Sequence, residues 1–195
     1  STIDGLARSL TPAEMLEQIY QIQRETGERV SNVVIMGSGE PMDNYTNVVR
    51  FLHLISAEEG LNISERNLTV STCGLVPQMY RFAEEGLHCT LALSLHAPND
   101  EVRRTLMPIA NRYSLSEVLP ACENYFKKTG RRVTFEYSLV AGVNDNKEEA
   151  AALAALVGHL NCHVNLIPVN PVKERSYRPS DRQNIEAFQK LLEKS

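Results

Sequence analysis

The residues best placed to do chemistry fall in five short polar segments, each directly after an apolar stretch. They are Gly37-Ser38-Gly39-Glu40-Pro41, Ser71-Thr72-Cys73-Gly74, Ser94-Leu95-His96-Ala97-Pro98-Asn99-Asp100, Gly142-Val143-Asn144-Asp145 and Pro168-Val169-Asn170-Pro171. Closely spaced glycines and a glutamate suit a loop laid against a small cationic ligand, with backbone carbonyls and the Glu40 carboxylate facing an ammonium group. Glu40 would serve equally as an acid at a helix start. His96 has the chemistry of a hydrogen-bond donor to a ligand carboxylate or ribose, although a lone loop histidine is more often solvated. Cys73 follows an apolar run directly, where packing is the commoner role of a free cysteine. Lys173, Arg175, Arg178 and Arg182 form a local basic cluster suited to phosphates, or simply to solvent.

Several other chemistries are excluded. The dinucleotide fingerprint lacks its third glycine, position 42 being Met, and neither a GK[ST] phosphate loop nor a GxSxG nucleophile elbow occurs. His159, Cys162 and His163 resemble a metal motif, but the string runs from a helix end into a strand, where Cys162 and His163 point to opposite faces. The four cysteines, Cys73, Cys89, Cys122 and Cys162, form no CxxC pair, so no metal site is expected on this chain.

The segments that position these residues alternate between two periodicities. Thr11, Pro12 and Glu14 write a capping box, Met15, Ile19 and Ile22 fall on one helical face, and Gly27 marks the stop. Val33, Val34, Ile35 and Met36 read as a strand buried on both faces. Further strands are predicted near 68–71, 89–94, 133–137 and 164–167, with helices from about 47, over 114–126 and over 148–160. Pro120 predicts a late start or a kink in one of them. The final helix has Ser180 as its cap, Gln183 three residues on, and Ile185, Phe188 and Leu192 on one face. Strand and helix thus recur five times, an α/β pattern that suits an open doubly wound sheet or a barrel. Any one of the polar segments is ordinary turn chemistry; five at strand ends point to a site on one rim of a β/α barrel.

The 195 residues fit a single domain, 1–195, with a real core. No apolar run is long enough to cross a membrane. A net charge of −4 argues against broad non-specific phosphate binding, so RNA affinity would be local or supplied from outside this sequence. Widely spaced cysteines in apolar stretches, and no leader at Ser1, make a reducing, cytoplasmic setting the expectation.

The strings themselves resemble a known family. Met36-Gly37-Ser38-Gly39-Glu40-Pro41, Ser71-Thr72-Cys73-Gly74-Leu75-Val76-Pro77, Leu91-Ala92-Leu93-Ser94-Leu95-His96-Ala97-Pro98-Asn99-Asp100 and Asn165-Leu166-Ile167-Pro168-Val169-Asn170-Pro171 are similar, in this order, to the radical S-adenosylmethionine (SAM) adenine C2-methyltransferases of ribosomal and transfer RNA. Val133-Thr134-Phe135-Glu136-Tyr137 followed by Gly142-Val143-Asn144-Asp145 continues the match, which covers essentially the whole chain. The resemblance implies a partial (β/α)6 radical-SAM barrel, of which this chain holds the second to sixth strands.

It also implies a cofactor. Gly39 and Glu40 would hold the amino end of SAM, and Ser71, the Ser94-Leu95-His96 run and Asn170 would complete its contacts; which of these touch carboxylate, ribose or adenine stays open. Family chemistry uses a [4Fe-4S] cluster on a CxxxCxxC motif, a reducing electron donor, a methyl-carrying cysteine and a second cysteine that resolves the RNA adduct. The cluster motif is absent here, the two cysteines are expected beyond the last helix, and none of Cys73, Cys89, Cys122 and Cys162 is expected to replace them. The chain is therefore expected to lack the first strand, the cluster loop and the C-terminal segment. It should bind SAM weakly or not at all by itself, carry no catalytic residue, and associate through its unpaired edge. The alternatives are a non-catalytic SAM- or partner-binding barrel remnant and an aldolase-type barrel; the latter ranks last because no lysine falls on a strand. The choice between ribosomal and transfer RNA, and between the C2 and C8 branches, stays open.

Overall fold

The structure is a computed structural model, and it describes residues 6–170 and 177–194. Strands β1 (Val33–Ile35), β2 (Leu68–Thr72), β3 (Thr90–Ser94), β4 (Val133–Leu139) and β5 (Cys162–Pro168) form one sheet in the order β1-β2-β3-β4-β5, every pair parallel. A doubly wound sheet reverses its strand order at a switch point. Here each new strand joins its predecessor, so right-handed crossovers lay their helices on one face throughout. The sheet is thus an open section of a β/α barrel, five strands of the expected six.

The helices are α1 (Pro12–Thr26), α2 (Tyr45–Ser56), α3 (Val76–Ala83), α4 (Asp100–Leu106), α5 (Leu115–Thr129), α6 (Lys147–Val157) and α7 (Arg182–Leu192). Register and strand alternation divide the sheet into two unlike faces. Towards the helices stand Ile35, Val70 and Leu91 in one row and Thr72, Leu93, Phe135 and Val164 in the next. These join Leu52, Met79, Val118, Tyr125 and Leu153 in the core. Towards the lumen stand Ser71, Ala92, Thr134 and His163 in one row and Ser94, Glu136 and Asn165 in the row nearer the carboxyl ends. Small and polar side chains on that face cannot make an apolar core; they make the wall of a site.

Four local expectations are corrected. β1 is not buried on both faces: Val34 is 61% and Met36 45% exposed, because β1 is an edge strand and Val34 lies on the lumen side. Ile22 leaves the buried stripe of α1, where Met15 and Ile19 stay: it is 51% exposed, one turn nearer the end of the helix. Of the two outcomes expected at Pro120 the late start does not occur: α5 starts at Leu115 under a Ser114/Glu117 capping box and carries the proline inside it. The cap of α7 is Asp181, whose side chain accepts from the Asn184 N–H at 2.8 Å. Ser180 is buried instead and donates to Asp145 Oδ2 at 2.7 Å. The α1 capping box and its left-handed Gly27 stop are as expected.

Candidate functional site

The five polar segments meet along the rim at the carboxyl ends of the strands. The first two are joined directly. Glu40 Oε2 accepts the Cys73 N–H at 2.7 Å and Oε1 accepts the Met42 N–H at 3.1 Å, so one carboxylate orders its own loop and fastens it to the loop after β2. The Cys73 thiol also hydrogen-bonds this carboxylate, which still has acceptor capacity for a ligand ammonium. Gly39, one residue earlier, has φ 88°, a backbone region closed to most side chains, and nothing lies within 4 Å of where a Cβ would stand. That leaves an open cradle beside a fixed negative charge.

Ser71 and Ser94 are both half-buried on the lumen side, Ser94 in register with Glu136. Glu136 is 6% exposed and accepts Asn165 Nδ2 at 2.7 Å. Leu95 turns its side chain into the core, so any ligand contact it makes is through its backbone. Its N–H, and that of His96, donate to the Glu136 carbonyl at 3.0 and 3.2 Å. Asn170 is exposed two residues beyond β5. Pro171, Lys173 and Arg175 lie outside the described residues; Arg178 is described, its carbonyl accepting from the Ala141 N–H.

His96 is the most constrained of these residues. Its φ is +59°, in the left-handed region that few residues other than glycine occupy. Ser138 N–H donates to its Nδ1 at 3.0 Å, which places the ring proton on Nε2 and makes that nitrogen a donor. Burial, and then the nearby Arg103 charge, push its pKa down to about 4, so the ring is neutral at ordinary pH.

Asn144 holds that turn. It is fully buried, donates from Nδ2 to His96 O and Ser138 O at 2.7 Å each, and accepts the Val140 N–H at 2.8 Å through Oδ1. Asp145 beside it accepts the Gly142 N–H at 2.8 Å and the Ser180 hydroxyl. The Gly142-Val143-Asn144-Asp145 segment is therefore structural support for the histidine loop. Arg103 of α4, which sequence reasoning missed, is 0% exposed and reaches backbone carbonyls in the loops after β2 and β3. Its one signal in the sequence is its place three residues after Asp100 on a short amphipathic turn, which any surface arginine shares.

The thiols do not fit cluster ligation. Burial, and then the neighbouring Glu40 charge, raise Cys73 to about 12; burial chiefly raises Cys89 and Cys122 to about 12 and lifts Cys162 as well. Without iron these thiols stay protonated, so each would have to give up a proton against its burial to become a ligand. Among the described residues no group of three His, Cys, Asp or Glu side chains is arranged to hold a metal, and His159, Cys162 and His163 do not converge. Two cavities, about 360 Å³ between α2 and α3 and about 260 Å³ beneath α5 at the start of β4 and β5, lie away from the rim. No helix among the described residues is long and apolar enough to cross a membrane.

Comparison with known proteins agrees with this geometry. The sequence pattern of the Radical SAM superfamily matches residues 2–154. The probable dual-specificity RNA methyltransferase RlmN of Lachnoclostridium phytofermentans is 62% identical over all 195 residues, and the one of Clostridioides difficile 56%. The chain covers 55% and 57% of these two proteins, about half the length of the curated relatives it matches. The crystal structure of a radical SAM methyltransferase from Sphaerobacter thermophilus superposes with a TM-score of 0.94 at 44% identity, over 98% of this chain and 57% of that one. Streptococcus suis SuiB bound to S-adenosylmethionine shares the fold, with a TM-score of 0.65 at 18% identity over 95% of this chain and 41% of its own.

Proposed function

The chain belongs to the radical SAM superfamily, and from that premise we propose that it is the central barrel section of an RNA (adenine-C2) methyltransferase. In the intact protein the substrates would be 23S ribosomal RNA and transfer RNA, and the methyl group would pass through a methyl-cysteine. The reading is supported by the relatives named above and, in the geometry, by one observation: the Glu40 carboxylate, fixed by two backbone N–H groups, stands beside the open Gly39 turn at the strand-end rim.

The residues fit SAM. Gly39 and Glu40 would take its amino group; Ser71, Ser94, His96 and Asn170, with the Leu95 backbone, would take the remaining polar groups. When bound and reduced, the cofactor supplies the carbon radical that begins the chemistry. Glu40 holds its negative charge in one place, and His96 offers a neutral Nε2–H donor in one tautomer. A polar lumen wall of Ser94, Glu136 and Asn165 orders whatever enters. The [4Fe-4S] cluster does not fit the thiols of this chain, and its ligands, the methyl-carrying cysteine and the docking site of the electron donor belong in this reading to the rest of the relatives' length. An RNA substrate and reduced thiols suit a cytoplasmic setting.

The test is to incubate the reduced intact protein with methyl-labelled SAM and unmodified ribosomal and transfer RNA, then analyse the nucleosides by mass spectrometry. Labelled 2-methyladenosine is expected. Labelled 8-methyladenosine would move the protein to the C8 branch. SAM binding without any methylated adenosine would favour a non-catalytic binding barrel.

A further inference from the structure

Arg103 stands out among the charged groups of the molecule. It is 0% exposed, yet among the described residues no carboxylate closes an ion pair with it. Asp100, one turn earlier in α4, gives its Oδ1 instead to the Leu115 N–H at 2.8 Å. Among the described residues the guanidinium's hydrogen bonds all go to backbone carbonyls: Nε to Leu95 at 3.2 Å, Nη1 to Tyr113 at 3.2 Å, and Nη2 to Cys73 at 3.0 Å and Ser94 at 3.4 Å.

Burying a cation without an anion is costly unless dipoles replace the lost water. The carbonyls of Cys73, Ser94, Leu95 and Tyr113 supply those dipoles. Stability alone would be served as well by an apolar side chain of similar volume. What an apolar side chain cannot do is tie three separate segments together by direction-dependent bonds.

Those segments are informative. Cys73 follows β2 directly, and its N–H is the group that Glu40 holds. Ser94 and Leu95 end β3 and lead into His96. Tyr113 stands just before α5. The packing leaves no slack: a Cβ on Gly74 would come within 3.3 Å of Arg103 Nη2 and 3.4 Å of Leu93 and Val118 side-chain carbons. Gly74 also has φ 103°, so the loop bends around the guanidinium in a conformation only glycine adopts readily.

We infer that Arg103 is a positioning residue that sets the spacing between the Glu40–Cys73 edge of the rim and the Ser94–His96 edge, so that both can hold one ligand at once. The inference rests on the reading of the rim as a SAM site. Arg103 touches no ligand itself; it acts through the carbonyls of Cys73, Ser94 and Leu95. Lysine would keep the charge but lose the fork, since one ammonium cannot reach four carbonyls spread over three segments.

The experiment compares wild type, Arg103→Lys and Arg103→Gln in the intact protein, by amide hydrogen exchange without ligand and by calorimetric titration with SAM. In both variants, exchange should rise about tenfold or more at residues 73–76 and 94–97, with protection at 135–137 unchanged. SAM affinity should fall by about tenfold or more in both. Unchanged exchange at the two loops in Arg103→Gln, or full retention of protection and affinity in Arg103→Lys, would overturn the inference. So would a rise spread evenly over the whole sheet. If both variants fail to fold, Gly74→Ala replaces them: it crowds Nη2 but also strains the 73–76 loop through its own backbone, so the readout is exchange at 94–97, which should rise with it, and an unchanged 94–97 would overturn the inference. A wild-type protein that binds no SAM would sink the cofactor reading, and the exchange pattern would then decide the clamp by itself.

Discussion

The Glu40 carboxylate accepts the Cys73 N–H at 2.7 Å across two strands' loops, 33 residues apart in sequence. A charge-assisted bond of this kind, half-buried, is worth about 1.5–3 kcal/mol. Glu40→Gln keeps an acceptor for one N–H and loses the charge, so urea unfolding should show a loss of about 1–2 kcal/mol. SAM affinity in the intact protein should fall by about tenfold or more, because the ammonium loses its counter-charge. The Cys73 thiol should titrate lower than its present value of about 12, yet stay above that of a free cysteine, since burial is the largest of its causes and the Asp43 charge remains. Thiol alkylation against pH reads this directly.

His96 gives the fold a pH dependence of known sign. Its pKa is near 4 in the folded chain and about 6.5 when unfolded, so the unfolded state binds the proton first. Its contribution is complete above pH 6.5 and is lost as the pH falls towards 4. His96→Asn, which tolerates the left-handed backbone, removes the titration. Carboxylates contribute in the lower part of this window, so the readout is the difference between the two stability curves. It should narrow steadily from pH 6.5 to 4, and parallel curves would show that the ring does not titrate there.

Asn144 should be intolerant of change. Asn144→Ala strands the Val140 N–H and two carbonyls in a dry site, for a loss of about 3 kcal/mol or more in urea unfolding. Asn144→Asp should be no better, because it turns a carboxylate towards the His96 and Ser138 carbonyls. Either change should also release His96 from φ +59°, visible as a shift of its ring resonances.

The thiols should be silent as iron ligands. Reconstituting this chain by itself with iron and sulfide should give no cluster absorbance, and replacing Cys73, Cys89, Cys122 and Cys162 with Ala or Ser should change nothing in that assay. In the native chain at pH 8, alkylation should be slow at all four and become rapid on unfolding. A chromophore that disappears with any one of the four would contradict the assignment.

What the sequence revealed and what it hid divide along a physical line. The Thr11–Glu14 box, the Gly27 stop and the strand-end segments are local signals, written within a few residues of one another, and they carried the barrel and its rim. Asn144 was visible only as a turn residue, and Arg103 not at all, because their roles depend on carbonyls brought in from β2, β3 and β4. Val34 looked like core because an apolar run does not say which of its faces lies on an edge or a lumen. Ser180 and Asp181 are both capping types, and the choice between them was made by Asp145, 35 residues away.

The most direct test of the cofactor rim is hydrogen exchange on the intact protein with and without SAM. Protection should appear at residues 37–42, 71–74 and 94–98 and near Asn170, with the helices unchanged. Tight SAM binding whose protection falls elsewhere, leaving Glu40 and His96 untouched, would contradict the account.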